Sequence, residues 1–210
     1  SPLGTTNFPT PEMDEMPDEE KYALQVKAGR PVCGVEMKIV DDKGATLPND
    51  GVAYGRLLVR GPWIIKKYFK SEESAVDADN WFDTGDISSI DPDGYMAIVD
   101  REKDVIKSGG EWISSIDLEN VIANHPDVLQ TAVVGIPHPK WDERPLLFIV
   151  SNSGNEFDRS ELDDLMLEKF EKWQLPDDVV FLKELPIGAT GKVKKIDLRQ
   201  EYTDHYMKEA

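Results

Sequence analysis

Apolar and polar residues alternate along several short stretches of this chain, and the period of that alternation predicts its elements. In residues 35–40, Val35, Met37 and Ile39 fall on one side and Glu36 and Lys38 on the other. That is the two-residue period of a half-buried strand, and Asp42-Lys43-Gly44 closes it with a turn. Residues 55–60 and 95–99 read as further strands, the latter entered through the turn Asp91-Pro92-Asp93-Gly94. Short strands with frequent turns predict a small β-barrel or meander up to about residue 99. Ahead of it, residues 1–30 are dense in Pro, Asp and Glu, show no period and read as loop.

The pattern changes near residue 100. Ser114 stands three before Asp117, a capping-box spacing, and predicts a helix to about Asn124 with Ile116, Val121 and Ile122 on its apolar side. His125-Pro126 ends it. Residues 132–136 and 146–150 are compact apolar runs of the kind found in buried strands. Asp158 then caps a second helix, in which Leu162, Leu165, Met166, Phe170 and Trp173 recur at helical spacing until Pro176. A third strand is expected at 179–182 and a polar helix from about Ile196. Strand and helix alternate here, so the second part is α+β or α/β.

Charge narrows the function classes. Forty-one acids against 24 bases give −17, which argues against nucleic acid or an anionic membrane as partner. One stretch runs the other way: residues 183–199 hold Lys183, Lys192, Lys194, Lys195 and Arg199 against Glu184 and Asp197. Cys33 is the only cysteine, so no internal disulfide can form. No apolar run approaches ~18 residues and no charged-then-apolar leader opens the chain, which predicts a cytoplasmic protein with no integral membrane segment. The opening Ser1-Pro2-Leu3-Gly4 lacks an initiator Met, and residues 11–20 are acidic without a base. A cut into a longer protein is expected, or a surface loop whose scaffold is absent.

Several chemistries fail on spacing. His125, His138 and His205 have no metal-ligand spacing and no cysteine partner, so no metal site is assigned. There is no Gly-x-Ser-x-Gly elbow. Gly188-Ala189-Thr190-Gly191-Lys192 has two residues between its glycines where a phosphate loop needs four, and Val193 follows the lysine where Ser or Thr is required. Gly109-Gly110 lacks the third glycine of a dinucleotide fingerprint.

Three segments remain in which turn glycine sits beside charge. In Trp81-Phe82-Asp83-Thr84-Gly85-Asp86 the last carboxylate can accept two hydroxyl donors, as a ribose diol offers, or close an ordinary Asx turn. The run from Asp100 through Lys103, Lys107 and Gly109-Gly110 to Ile113 fits a hinge followed by backbone open to close approach, or a charged β-hairpin loop. Lys192, after its glycine turn, can deliver a point charge to a phosphoryl oxygen or lie on a solvated helix start.

In this order the segments resemble one family. Thr84-Gly85-Asp86, Asp100-Arg101 with Lys103 and Lys107, Gly109-Gly110-Glu111-Trp112-Ile113-Ser114 and Thr190-Gly191-Lys192 are similar to the later core motifs of the adenylate-forming enzymes. That superfamily contains acyl- and aryl-CoA synthetases, peptide-synthetase adenylation domains and firefly luciferase. The similarity runs from about residue 29 to residue 199. Residues 108–120 and the run Pro137-His138-Pro139-Lys140-Trp141-Asp142-Glu143-Arg144-Pro145 resemble the branch of medium-chain fatty acyl-CoA ligases that includes the methylmercaptopropionate-CoA ligases.

The resemblance implies an α+β chain in which residues 1–102 end a large domain, with its small β-barrel subdomain, and residues 103–210 form a mobile C-terminal domain. Such enzymes join a carboxylic acid to ATP, with Mg²⁺, and then pass the acyl group to CoA. It implies that Asp86, Arg101 and Thr84 bind the nucleotide, that Lys103 is the hinge of the domain alternation, and that Lys192 serves adenylation. Lys107, Ser108, Gly109, Gly110, Glu111 and Trp112 would line the path of the CoA arm in the thioester-forming step. One departure is Gly188, where the family usually has Thr. The phosphate loop, adenine segment, Mg²⁺-holding Glu and acyl pocket would lie upstream, with Ser1-Pro2-Leu3-Gly4 following them. The chain alone is therefore expected to form no adenylate without an N-terminal domain. The resemblance leaves open a homo-oligomer, an aryl-acid substrate, and a docking module without chemistry.

Overall fold

The two-residue periods of the first hundred residues become strands. In the computed structural model, which describes residues 4–209, the chain divides into two units, Ser1–Lys103 and Asp104–Ala210. Ser1, Pro2 and Leu3, part of the segment expected to follow the upstream motifs, lie outside the described residues.

The first unit opens with β1 (Thr5–Thr6), α1 (Pro11–Asp14), α2 (Asp18–Gln25) and β2 (Arg30–Pro31), β1 and β2 pairing antiparallel. The two helices correct the expectation of loop. Periodicity missed α2 because none of its residues is buried. Its helical signal is electrostatic: Asp18, Glu19 and Glu20 occupy the first turn, against the positive end of the helix dipole. At its other end the Asn7 amide donates to the Leu24 and Lys27 carbonyls at 2.7 and 2.9 Å, satisfying acceptors that a helix end leaves open.

Strands β3 (Glu36–Val40), β4 (Gly55–Arg60), β5 (Phe82–Ile90) and β6 (Met96–Arg101) follow as one antiparallel sheet in chain order. Among the described residues the sheet is an open meander, with β3 and β6 at its two edges, so the barrel is not closed. Ile39, Leu57, Ile90 and Met96 pack as its core. Strand β5 was not expected, since its first half reads as a turn. Gly85 takes φ +70° within it, and the register slips both against β4 and between Ile87 and Ser88 against β6. A slip of this kind breaks the alternation that would reveal the strand.

The second unit contains β7 (Ile106–Ser108), β8 (Glu111–Ile113), α3 (Ser115–Ile122), β9 (Val128–His138), β10 (Asp142–Ser151), α4 (Arg159–Leu167), β11 (Asp178–Phe181) and α5 (Lys195–Glu201). Strand β10 lies antiparallel to β9 and parallel to β11. Its side chains alternate between two cores. Leu147 and Ile149 join Leu118, Val121, Ile122, Leu162 and Met166 of α3 and α4 on one face. Leu146, Phe148 and Val150 join Leu198 of α5 on the other. A strand covered on both faces must be apolar throughout, which is why the run was legible as buried.

The two expected helices differ in detail. Ser114 caps α3, its hydroxyl accepting from the Asp117 N–H at 3.1 Å. The residue that enters the core is Leu118, with Val121 and Ile122, whereas Ile116 is exposed. Positions 118, 121 and 122 share a stripe; 116 lies about 200° around the helix from 118. Helix α4 stops at Leu167 and does not reach Trp173. A new 3-10 turn begins at Lys172, set by a capping box in which the Glu171 N–H donates to the Gln174 side chain.

Candidate functional site

In the first unit, the bulged start of β5 gathers charge. Asp86 lies directly opposite Arg101 of β6, and its Oδ1 is 3.0 Å from Arg101 Nη1. The Asp86 carboxylate is mostly shielded, with 17 % of its side chain exposed, while Arg101 reaches into solvent at 59 %. Thr84 fixes the approach: its hydroxyl donates to the Leu57 carbonyl at 3.1 Å and accepts from the Asp86 N–H at 3.1 Å. Asp83 accepts from the Gly85 N–H at 3.0 Å and pairs with Arg56 at 2.6 Å. The Glu102 N–H donates to the Gly85 carbonyl. Backbone and side chains thus hold one carboxylate and one guanidinium at a fixed spot. Among the described residues nothing else pairs with the second carboxylate oxygen of Asp86 or the other donors of Arg101, groups of the kind that can bond a hydroxyl. Lys103, the last residue of this unit, is exposed.

In the second unit, β7 and β8 form a two-residue hairpin with Gly109 and Gly110 at its tip, φ +62° and +90°. Both residues take positive φ, the geometry of a type I′ turn. Lys107, Ser108, Glu111 and Trp112 flank this tip, and the Lys107 ammonium stands 5.8 Å from the Trp112 ring centre. The hairpin is tied to the β9–β10 loop. Gly109 donates its N–H to the Trp141 carbonyl at 2.8 Å, and Lys107 donates its N–H to Glu143 at 3.0 Å. The φ of +62° favours glycine at 109, and a Cβ there would stand 3.1 Å from the Trp141 ring, a tight contact that the indole would have to yield to.

Behind the hairpin sits Arg144, buried at 7 % exposure. Its Nε and Nη2 donate to the two Asp177 carboxylate oxygens at 2.8 and 2.6 Å. Nη2 also donates to the Leu175 carbonyl at 3.0 Å, and Nη1 to the Trp173 carbonyl at 2.7 Å and to Ser108 Oγ at 3.0 Å. All five guanidinium N–H groups are engaged. A cleft of about 320 Å³ opens here, lined by Ser108, Gly109, Glu111, Trp141, Arg144, Trp173 and Asp177.

Lys192 lies elsewhere in the second unit, on the tight loop between the bridged residues Ile187 and Val193. The Gly188 N–H donates to the Lys192 carbonyl at 2.7 Å, and the Gly191 N–H to the Gly188 carbonyl at 2.9 Å. The Lys192 side chain is exposed and has no partner among the described residues. Its neighbours are anchored: Lys194 pairs with Asp197, and Lys195 reaches Glu119 of α3 at 2.7 Å. Among the described residues no three His, Cys, Asp or Glu side chains come together as a metal site.

Thr84, Asp86 and Arg101 therefore stand together in one unit, and the glycine hairpin and Lys192 are features of the other. Sequence reasoning missed Arg56, Asp83, Arg144 and the two indoles beside the cleft. Arg144 left a signal, being a charge two residues before a fully apolar run. Asp177 and Trp173 left none, because they come from a loop that reads as the end of a helix.

Residues 2–69 match the family model described as AMP-binding enzyme, and residues 117–192 match the AMP-binding enzyme C-terminal domain. The chain is 52 % identical over 204 residues to 3-methylmercaptopropionyl-CoA ligase of Ruegeria lacuscaerulensis, covering 97 % of this chain and 38 % of that protein. It is 46 % identical to medium-chain-fatty-acid–CoA ligase of Ectopseudomonas oleovorans, covering 97 % and 37 %. Among solved structures, o-succinylbenzoate CoA synthetase of Bacillus subtilis, in complex with its acyl-adenylate intermediate, matches with TM-score 0.74 and 30 % identity, over 88 % of this chain and 37 % of that one. The chain thus spans about two fifths of the length of these relatives.

Proposed function

We propose, from the premise that the chain belongs to the AMP-binding, adenylate-forming enzyme family, that it is the C-terminal portion of an ATP-dependent acyl-CoA synthetase. The observation that carries this reading is the Asp86–Arg101 pair at the bulge of β5, held by Thr84 with acceptor and donor capacity to spare. In the first half-reaction a carboxylate oxygen of a fatty or related acid attacks the α-phosphorus of ATP, and pyrophosphate leaves. Asp86 accepts from the ribose hydroxyls, Arg101 donates at the same ribose, and Thr84 keeps Asp86 in place. Lys192, with no partner to displace among the described residues, brings its ammonium to the carboxylate and α-phosphate as charge develops there. In the second half-reaction the CoA sulfur attacks the acyl carbon and AMP leaves. The hairpin of Lys107, Ser108, Gly109, Gly110, Glu111 and Trp112 then faces the reaction, its paired glycines clearing a path for a narrow thiol-bearing arm.

Lys103 is the hinge for that exchange; it is exposed and ends the first unit, where a change of backbone angles meets little packing. Mg²⁺ would neutralise the transferring phosphates when bound, and we assign its ligands to a segment other than this one. Among the described residues no helix is long and apolar enough to cross a membrane, and a cytoplasmic setting would supply ATP and CoA. The test is pyrophosphate release with ATP and octanoate, by the chain alone and joined to an N-terminal segment of its relatives. Turnover is expected only in the joined form. Turnover by the 210 residues alone would overturn the division of labour, and no turnover with any carboxylate in any joined form would overturn the enzyme reading.

A further inference from the structure

Arg144 occupies a position where a strand buried on both faces would ordinarily carry an aliphatic side chain. Burying a guanidinium is unfavourable unless every donor is satisfied, and here each one is directed to a particular place. Four of the five bonds go to residues 173–177, the segment that leaves α4 and enters β11. The fifth goes to Ser108 Oγ, at the base of the glycine hairpin, itself only 4 % exposed. Arg144 therefore spans the floor of the cleft from one wall to the other, with Trp141 and the hairpin on one side and Trp173 on the other.

We propose that Arg144 is a positioning residue for the thioester-forming step. It sets the distance between the glycine hairpin and the 173–177 segment, and with it the width of the cleft that the CoA arm must use. This rests on the reading that the hairpin serves CoA. The planar fork is what the task requires. Two carbonyls, a bidentate carboxylate and a hydroxyl lie in directions that five fixed N–H groups match, and that three donors on a flexible lysine cannot reproduce. Two further ties of the hairpin, from Lys107 to Glu143 and from Gly109 to Trp141, run to the β9–β10 loop and not to Trp173.

The experiment is Arg144→Lys, read in two ways. In the 210-residue chain, amide exchange of Lys107 and Gly109 is expected to accelerate about tenfold as the hairpin loses its far anchor. In the ligase assembled with its N-terminal part, KM for CoA is expected to rise about tenfold or more relative to any change in ATP–pyrophosphate exchange, since small misplacements of a positioned group have effects of this order. Parallel loss of both half-reactions, or unchanged hairpin exchange, would mean that Arg144 only holds the fold together and would overturn the proposal. Should Arg144→Lys not fold, Ser108→Ala removes the bond between clamp and hairpin. Since Ser108 belongs to the hairpin itself, its amide-exchange reading alone decides: faster exchange of Lys107 and Gly109 supports the clamp and unchanged exchange overturns it. Trp112→Ala tests the underlying assignment. An unchanged KM for CoA in Trp112→Ala overturns the hairpin's role and the proposal with it. A raised KM there beside an unchanged one in Arg144→Lys overturns the clamp alone.

Discussion

The two units present their charged groups in opposite ways. In the first, Asp86 and Arg101 already hold each other, and Thr84, Asp83, Arg56 and the backbone of Glu102 fix the strand that carries them. In the second, Lys192 projects from a short glycine loop with no partner among the described residues, although Lys194 and Lys195 beside it are both paired. A group that must stay in register with a ligand throughout a reaction benefits from being built into a sheet. A group that must arrive and depart benefits from leaving nothing behind when it moves. Under the proposed function, the difference teaches that function and stability are entangled at Asp86 and separate at Lys192.

The largest expected effect tests the separate case. Lys192→Ala in the assembled ligase is expected to slow adenylation by about 10²–10³, the usual consequence of deleting one charge-stabilising group. The melting temperature of the chain should change little, because Lys192 is exposed and pairs with none of the described residues. Conversion of preformed acyl-AMP by CoA should survive. Equal loss of both steps would remove the distinction between the lysine and the hairpin.

Asp86→Ala comes next and should move two readings at once. Loss of a charged acceptor costs about 1.5–3 kcal/mol of nucleotide binding, seen as roughly a 10- to 100-fold rise in the dissociation constant for ATP. The broken pair with Arg101, half in solvent, should lower the unfolding free energy of the first unit by no more than about 1 kcal/mol. An affinity change without any stability change would place Asp86 with Lys192 and break the comparison.

The same contrast explains what could be read in advance. The second unit was legible because its central strands are buried on both faces and its helices α3 and α4 begin at side-chain caps, Ser114 and Asp158, each of which accepts from a backbone N–H two or three residues on. Such signals are local. In the first unit, β5 was hidden by the very features that make it useful: a glycine, a register slip and a polar half. Helix α2 was hidden by having no buried face. Asp86 and Arg101 could be named as candidates from the motifs, but their pairing depends on the register of β5 against β6, which the slip at Ile87 sets and periodicity does not show. Arg144 was missed, because its partners at 173–177 are about thirty residues away, where the helical spacing through Trp173 masks the loop that carries them.

Gly85→Ala probes the entanglement through the backbone. A Cβ there meets no atom within 4 Å, so crowding is absent and only the positive φ of +70° opposes alanine. The expected loss is about 1–2 kcal/mol in chemical unfolding of the first unit, with nucleotide affinity falling alongside as Asp86 shifts. A full-affinity, destabilised variant would show that the bulge is not what aims the carboxylate.

The smallest effect is in acid, and it sets a long-range tie against a local one. Burial opposes ionisation of Asp91, but the Lys27 ammonium at 2.7 Å and the Tyr95 N–H at 2.8 Å outweigh it and hold its pKa below the ordinary aspartate range. In the second unit the Ser160 N–H lowers Asp158 in the same direction. A carboxylate depressed in the folded state stabilises fully above its unfolded pKa, near about 4, and loses that contribution as pH falls through the folded value. Asp91 joins residues 64 apart in sequence, whereas Asp158 caps a helix two residues away. Asn keeps most of a cap's function but cannot pair with an ammonium as a charge. Asp91→Asn should therefore lower the stability of the first unit at neutral pH by about 1 kcal/mol or less, with the gap from wild type closing below about pH 4. Asp158→Asn should leave the second unit nearly unchanged across the same range. Unfolding curves from pH 3 to pH 7, followed through hydrogen exchange in each unit, would measure both. A gap at Asp91 that persisted in acid would mean the carboxylate acts by packing and not by charge.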